Sequence, residues 1–450
     1  MGQGMISINH KTSMKLSIVI PTRNRPDVLR YNLRSLASQD LTDYEIIVSD
    51  NGTDKLCKNV FDEITKGDER FMYVRPEKPL DIYKHHEFAI QFASGDYITI
   101  LEDKKIFLSG ALDLIRNLCE RDNPNVISYD ICAYYPCDGT LDTVENGFYK
   151  INDKELTVEH FNSEDEFRYM LKYSGYFNYI FRGNLLWGFY KRELVEEIRN
   201  ILGGFFNKVY SFDSGLKFLA MYLSIGKECI HLDGSVIIEI CAHGRGSKTN
   251  EYDFLFDTYN NEVPCVELKK TEVPGLDHMI NSWYFVAQEY QWIINNLIRN
   301  KYDIGNYKIN LAGVLARIYW SVYMVPLENI PNDVCACQKT IIQRSINKLD
   351  NDAKEDFYRI LKKYYGFDDE NNESKAGDYE KKNTLISTWN WLTSEFPILL
   401  ELYKKTRISK RRERNKREKE IELNHGDLVR IRLDSLIQNK VGSIDSGKTN

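Results

Sequence analysis

Short apolar runs alternate with amphipathic stretches over the first 130 residues. Residues 16–20 are apolar and rich in β-branched side chains, and Pro21 stops them; such a run fits a strand buried on both faces. Pro26 stands where a first helical turn tolerates proline, and Val28, Leu29, Leu33, Leu36 and Ala37 recur at helical spacing. The pattern then repeats. It predicts strands at 45–48, 71–74, 97–101 and 126–129, with a polar helix after the second and helices at 82–93 and 111–119. Strands alternating with helices of this length mean parallel β-α-β units, hence an α/β fold with a mainly parallel sheet flanked by helices.

The pattern blurs between 130 and 179 into short acidic and aromatic pieces. A second ordered block spans 184–240, with helices predicted at 192–201 and 214–225, the latter closed by Gly226. Beyond residue 251 helical periodicity takes over, at 278–298, 311–324, 333–349, 356–365 and 384–403, with a polar linker at 368–378. The reading divides the chain into an α/β domain over 1–255, with halves at about 15–130 and 131–255, and a helical region over 256–450. No internal repeat is present.

Composition narrows the function classes only a little. A chain of 450 residues can build two or three cores. A net charge of −6 argues against nucleic acid as the main partner. No run of eighteen apolar residues suggests a membrane span, and the polar residues 1–14 lack the apolar core of a signal peptide. The nine cysteines form no C-x-x-C pair and read as free thiols of a cytoplasmic protein.

Chemistry concentrates where predicted strands end. In parallel α/β sheets ligands bind outside the carboxyl ends of the strands. Those ends read Pro21-Thr22-Arg23-Asn24-Arg25, Ser49-Asp50-Asn51-Gly52-Thr53 and Glu102-Asp103-Lys104-Lys105. An Asp after the second strand can accept a hydrogen bond from a base or ribose, with Thr22 lining the same pocket. The third end can balance the charge of a diphosphate. No G-x-G-x-x-G follows the first strand and no G-x-x-x-x-G-K-[ST] occurs, which argues against dinucleotide and P-loop chemistry.

Four segments together resemble the nucleotide-binding half of family 2 glycosyltransferases: 17–25, 43–53, 93–98 and the acidic motif at 102–103. The resemblance implies a GT-A fold, Rossmann-like, and an inverting transfer from a nucleotide sugar, with UDP the expected nucleotide. It continues more weakly through Gly203-Gly204-Phe205-Phe206 and Ser211-Phe212-Asp213, where Asp213 matches the family's catalytic base. It reaches Ala242-His243-Gly244-Arg245-Gly246-Ser247, similar to a loop that closes on donor phosphates. On this basis Pro21, Thr22, Arg23, Asp50, Glu102, Asp103, Lys104 and Arg245 are expected to bind donor.

One position departs from the family pattern. Lys104 stands where a metal-ligating acid is usual. A protonated lysine cannot bind a metal but can neutralise phosphate. Two arrangements stay open: Lys104, with Lys105 and Arg245, takes over part of the metal's role, or Asp103 with His243 holds Mn²⁺ or Mg²⁺.

Several other residues carry plain readings. Asp50 suits an Asn-Gly turn and Asp213 a helix N-cap, whatever their chemistry. Glu164, Asp165 and Glu166 read as a solvated acidic run, and His85 and His86 as an exposed helix rim. Trp187 reads either as a sugar platform or as core. The basic run at 407–419, after an apolar aromatic segment from 389, reads as a solvated helix face or as contact with an anionic membrane at the inner surface of a bacterial cell. The resemblance implies glycan or lipid-linked acceptors, as in capsule or O-antigen synthesis. A non-catalytic nucleotide-sugar-binding protein and a nucleotidyltransferase are the alternatives.

Overall fold

The computed structural model describes residues 14–40, 42–136, 146–150, 156–173, 182–241, 263, 265–323, 330–365 and 428–432. Four parallel strands form its first layer. β1 (Leu16–Thr22) lies between β2 (Tyr44–Asp50) and β4 (Tyr97–Ile100), and β3 (Phe71–Val74) is outside β2. All of β1 except Pro21 is buried, as expected of a strand covered on both faces. Helices α1 (Pro26–Ala37), α2 (Leu56–Thr65), α3 (Ile82–Ile90) and α4 (Ala111–Asp122) make the crossovers. Proline opens α1. It gives up no hydrogen bond there, since the first helical N–H groups have no intrahelical acceptor. The expected mainly parallel sheet flanked by helices is present.

Beyond β4 the sheet changes direction. β9 (Gly188–Lys191) runs antiparallel between β4 and β6 (Val126–Pro136), and β6 pairs in parallel with β10 (Cys229–Ile240). β10 also carries β5 (Lys105–Phe107) and β8 (Thr157–His160). β6 is longer than the expected 126–129. The segment without clear pattern from 130 onward contains β7 (Asn146–Lys150), β8 and helix α5 (Ser163–Tyr173). These strands are short and pair with distant partners, so no local periodicity marks them.

The region from 256 was expected to be a helical region. Helices at Ser282–Arg299 (α8), Leu311–Tyr323, Asn332–Lys348 and Asn351–Tyr365 match the predicted periods closely. A strand, β11 (Leu428–Arg432), departs from that reading: it pairs antiparallel with β7 at the sheet edge. The predicted helix at 384–403, the linker at 368–378 and the basic run lie outside the described residues. One continuous core joins Val19 and Ile98 of the sheet to Phe167, Leu219, Ile293, Val314 and Phe357. The helices therefore extend the core of the 131–255 half. Eight cysteines are free thiols among the described residues, and no described helix is long and apolar enough to cross a membrane.

The approach to β4 is fixed by a carboxylate. Glu45 accepts from Lys15 Nζ at 2.6 Å, Ser17 Oγ at 2.6 Å, and the backbone N–H groups of Ser94 at 2.5 Å and Gly95 at 3.1 Å. Burial raises its carboxyl, but these donors outweigh it and hold the group at about 2. A methyl group on Gly95 would stand 2.7 Å from both Lys15 O and Ser17 Oγ, so the chain can pass under β1 only as glycine. We expect Gly95→Ala to lower stability by about 1–3 kcal/mol, as overpacking does. Urea unfolding measures this; an unchanged midpoint would contradict it.

Candidate functional site

Parallel pairing of β1 with β2 and with β4 puts three carboxyl ends side by side, Thr22 opposite Asp50. Just beyond β4, Asp103 turns back towards β1 and is only 3% exposed. Its Oδ2 accepts from Thr22 Oγ1 at 2.8 Å and its Oδ1 from Arg25 at 3.1 Å. Burial pushes the Asp103 carboxyl above its ordinary value, against the pull of Arg25 and Thr22. Pro21 is half-buried at the rim and Arg23 is exposed.

Asp50 is fully buried. Its Oδ1 accepts from Gly52 N–H at 2.7 Å and its Oδ2 from the Tyr73 hydroxyl at 2.6 Å, with Arg75 3.6 Å away. A Cβ on Gly52 would press on Asp50 Oδ1 and Asn24 Oδ1 at 2.7 and 2.8 Å. Asn24 takes a left-handed φ of 55° and receives Thr53 N–H at 2.9 Å, a conformation that asparagine tolerates better than most residues. The plain reading of Asp50 as a turn former therefore holds alongside any ligand role.

The lysines separate. Lys104 Nζ meets Glu239 Oε1 of β10 at 2.5 Å. Burial disfavours its charge, but Glu239 and Glu102 overcome this and raise it above its ordinary value. Lys105 differs from its expected phosphate role. Its side chain is fully buried, donates to Leu186 O at 2.9 Å, pairs with Glu102 at 2.6 Å, and lies 4.5 Å from the Trp187 ring centroid. Trp187 is thus a buried partner of Lys105. Glu102 is held below its ordinary value because Lys105 and Lys104 outweigh the effect of burial.

Formally, Glu102, Asp103 and Glu239 are balanced by Arg25, Lys104 and Lys105. In that set each acid faces a cation. No group of three or more His, Cys, Asp or Glu among the described residues could hold a metal. His243 and Arg245 lie outside the described residues.

Across α3 lies the turn that carries Asp213. Asp213 is half-buried and its carboxylate accepts from Ser211 Oγ. It does not cap the following helix α7 (Gly215–Leu223), whose N-cap Ser214 makes no side-chain capping bond. Asn184 Nδ2 holds Asp213 O at 3.1 Å, and the Tyr83 hydroxyl of α3 holds Tyr210 O at 3.0 Å. From α8, Glu289 Oε1 accepts the N–H groups of Tyr210 at 2.5 Å and Ser211 at 3.1 Å, while the Tyr290 hydroxyl meets Ser214 Oγ at 2.7 Å. Burial drives Glu289 to about 8; the two N–H groups oppose this and the Asp213 charge adds to it.

The histidine pair and the acidic run at 164–166 also differ from expectation. His85 is buried, 2.9 Å from Ser49 Oγ, and the His86 ring packs 4.8 Å from Phe212. The pair is therefore no exposed rim, and burial lowers both to about 4. Glu166 is buried too, 3.3 Å from Lys217 and 3.6 Å from Arg182, leaving only its neighbours as solvated acids.

The residues not anticipated are Arg25, Tyr73, Glu239 and Glu289. Arg25 was visible in the first strand-end segment. Glu239 stands inside the apolar run 236–240, and Glu289 on the apolar side of α8 with Phe285 and Ile293. A lone carboxylate in such a place signals a buried partner.

Residues 17–176 match the family described as Glycosyl transferase family 2. The GalNAc(5)-diNAcBac-PP-undecaprenol beta-1,3-glucosyltransferase of Campylobacter jejuni is 29% identical over 177 residues, 38% of this chain and 53% of that protein. An uncharacterized glycosyltransferase of Methanocaldococcus jannaschii is 30% identical over 100 residues, 22% of this chain and 34% of its own. The chain thus spans about half, or less, of these curated relatives. Among solved structures, S. aureus TarS 1-349 aligns with a TM-score of 0.40 and 13% identity, covering 79% of this chain and 94% of that one. The mannosyltransferase PcManGT of Pyrobaculum calidifontis, in complex with GDP-Man and Mn²⁺, aligns at 0.35 and 11%, covering 77% and 88%.

A raised carboxyl makes stability depend on pH. Glu289 holds its proton to about 8 in the folded chain, against an ordinary value of 4.5. Its contribution is complete below 4.5 and is lost as pH rises to 8. Relative to Glu289→Gln, the wild type should lose up to about 1.4 kcal/mol of stability per pH unit across that window. Melting curves from pH 4.5 to 9 measure the difference; a constant gap would contradict the assignment.

Proposed function

With residues 17–176 a glycosyl transferase family 2 domain, we propose that the protein is an inverting glycosyltransferase. It moves a sugar from a UDP-linked donor to a hydroxyl of a glycan or lipid-linked glycan. The observation that carries this reading is the meeting of Thr22, Arg25 and Asp103 at adjacent parallel strand ends inside that domain. The Campylobacter relative is named for a PP-undecaprenol-linked glycan, which supports a lipid-linked acceptor at the inner face of a membrane. We assign the contact to 389–419, outside the described residues, and the pathway to bacterial surface polysaccharide.

In this reading the nucleoside lies over Pro21, Thr22 and Arg23 beside Asp50, whose bonded oxygens each keep a lone pair for a base or ribose hydrogen. The diphosphate lies by Glu102, Asp103 and Lys104. Asp213 takes the proton from the acceptor hydroxyl as its oxygen attacks the anomeric carbon. The bond to the diphosphate breaks on the opposite face, and the electron pair leaves with the nucleotide. Lys104, Arg25 and Arg245 supply positive charge to the leaving group. Because the described acids are already paired with cations, we assign no metal to the step, and His243 has no ligand role in it.

A panel of nucleotide sugars, followed by nucleotide release in the presence of lipid-linked glycans, tests the assignment. One UDP-sugar should turn over and yield a product of inverted anomeric configuration. Asp213→Asn should lower kcat by about 10²–10⁴-fold, the range of general-base catalysis, with UDP affinity unchanged. EDTA should leave the rate within about twofold, the change expected when no divalent ion carries the leaving-group charge. Binding without turnover, or a sugar 1-phosphate consumed with a nucleoside triphosphate, would overturn the proposal.

A further inference from the structure

The carboxyl group of Glu289 is fully buried in α8, more than a hundred residues beyond the family 2 segment, yet it touches the acceptor-side turn directly. Its Oε1 gathers two successive backbone N–H groups, those of Tyr210 and Ser211. Its Oε2 is buried with no hydrogen-bond partner. Buried polar atoms are ordinarily satisfied, so a simple packing role is poorly served by an acid here. The surroundings are shaped to admit it. Gly215 leaves the space that a Cβ would take from the carboxylate. The next residue, Tyr290, stacks on Phe218 with centroids 4.0 Å apart and reaches Ser214. Two successive side chains of α8 thus grip both flanks of Asp213, while Asn184 holds Asp213 O between them.

We propose that Glu289 is the positioning residue of the acceptor turn, fixing the 210–211 backbone so that Asp213 meets the acceptor hydroxyl. The inference rests on the reading of Asp213 as the base. It makes the helical region part of the acceptor site. What matters is an acceptor oxygen at the right reach, not a negative charge. Gln keeps that oxygen and places its NH₂ where the neutral acid carries a hydroxyl. Asp keeps the acid but is one methylene too short.

The test combines amide exchange over residues 208–216 with turnover of the UDP-sugar identified by the donor panel, for Glu289→Gln, Glu289→Asp and Glu289→Ala. Glu289→Gln should keep exchange within twofold and kcat within threefold of wild type. Glu289→Asp and Glu289→Ala should exchange at least tenfold faster in this segment and lose at least thirtyfold in kcat, with KM for the donor within threefold. If Glu289→Ala does not fold, the Gln–Asp contrast alone decides. The proposal is overturned if Asp works as well as Gln, if exchange at 208–216 does not change, or if donor KM rises in step with the loss of kcat. Asp213→Asn in the same assay separates the two claims. Turnover surviving that substitution sinks the base assignment, while the exchange data still report whether Glu289 holds the turn.

Discussion

A carboxylate taken out of water must be met by donors, and Asp103 is met by Thr22 and Arg25. That requirement organises the carboxyl ends of β1 and β4. Thr22 closes β1 and Arg25 immediately precedes α1, so one buried acid ties the end of the central strand to the helix that follows it. Asn32 of α1 adds a second tie, donating to Lys105 O at 2.7 Å. The carboxyl end of β4 is therefore held by hydrogen bonds from β1 and α1. The cation–acid pairs around it leave no excess negative charge to repel a diphosphate.

Helix α3 touches both the strand ends and the turn that carries Asp213. Its His85 reaches Ser49 beneath the β2 end, while its Tyr83, His86 and Glu87 contact the 205–212 segment. On the far side α8 supplies Glu289 and Tyr290, so the turn bearing Asp213 is held between a helix inside the 17–176 match and a helix beyond it. The helical region shares one continuous core with the sheet.

How much of this was readable in the sequence follows the range of the interactions. Apart from the three-residue β5, the strands and helices through residue 122 were legible because each buries a face defined by its own periodicity. The strand-end residues were legible for the same reason, since parallel pairing fixes which ends converge. What escaped are contacts between residues far apart in the chain. Lys104 finds Glu239, Lys105 turns inward to Trp187, Glu166 finds Lys217, and β11 reaches β7. No local pattern encodes such pairings. The only trace is a charged residue on an apolar face, as at Glu239 and Glu289.

The central claim is that nucleotide binds at the β1, β2 and β4 ends, with the acceptor turn across α3. A crystal structure of the protein with UDP tests it most directly. The account predicts uracil against Thr22 and Asp50, with the diphosphate within hydrogen-bond reach of Arg25 or Lys104. UDP bound away from these strand ends, or a diphosphate facing only Asp213 and Glu289, would contradict it.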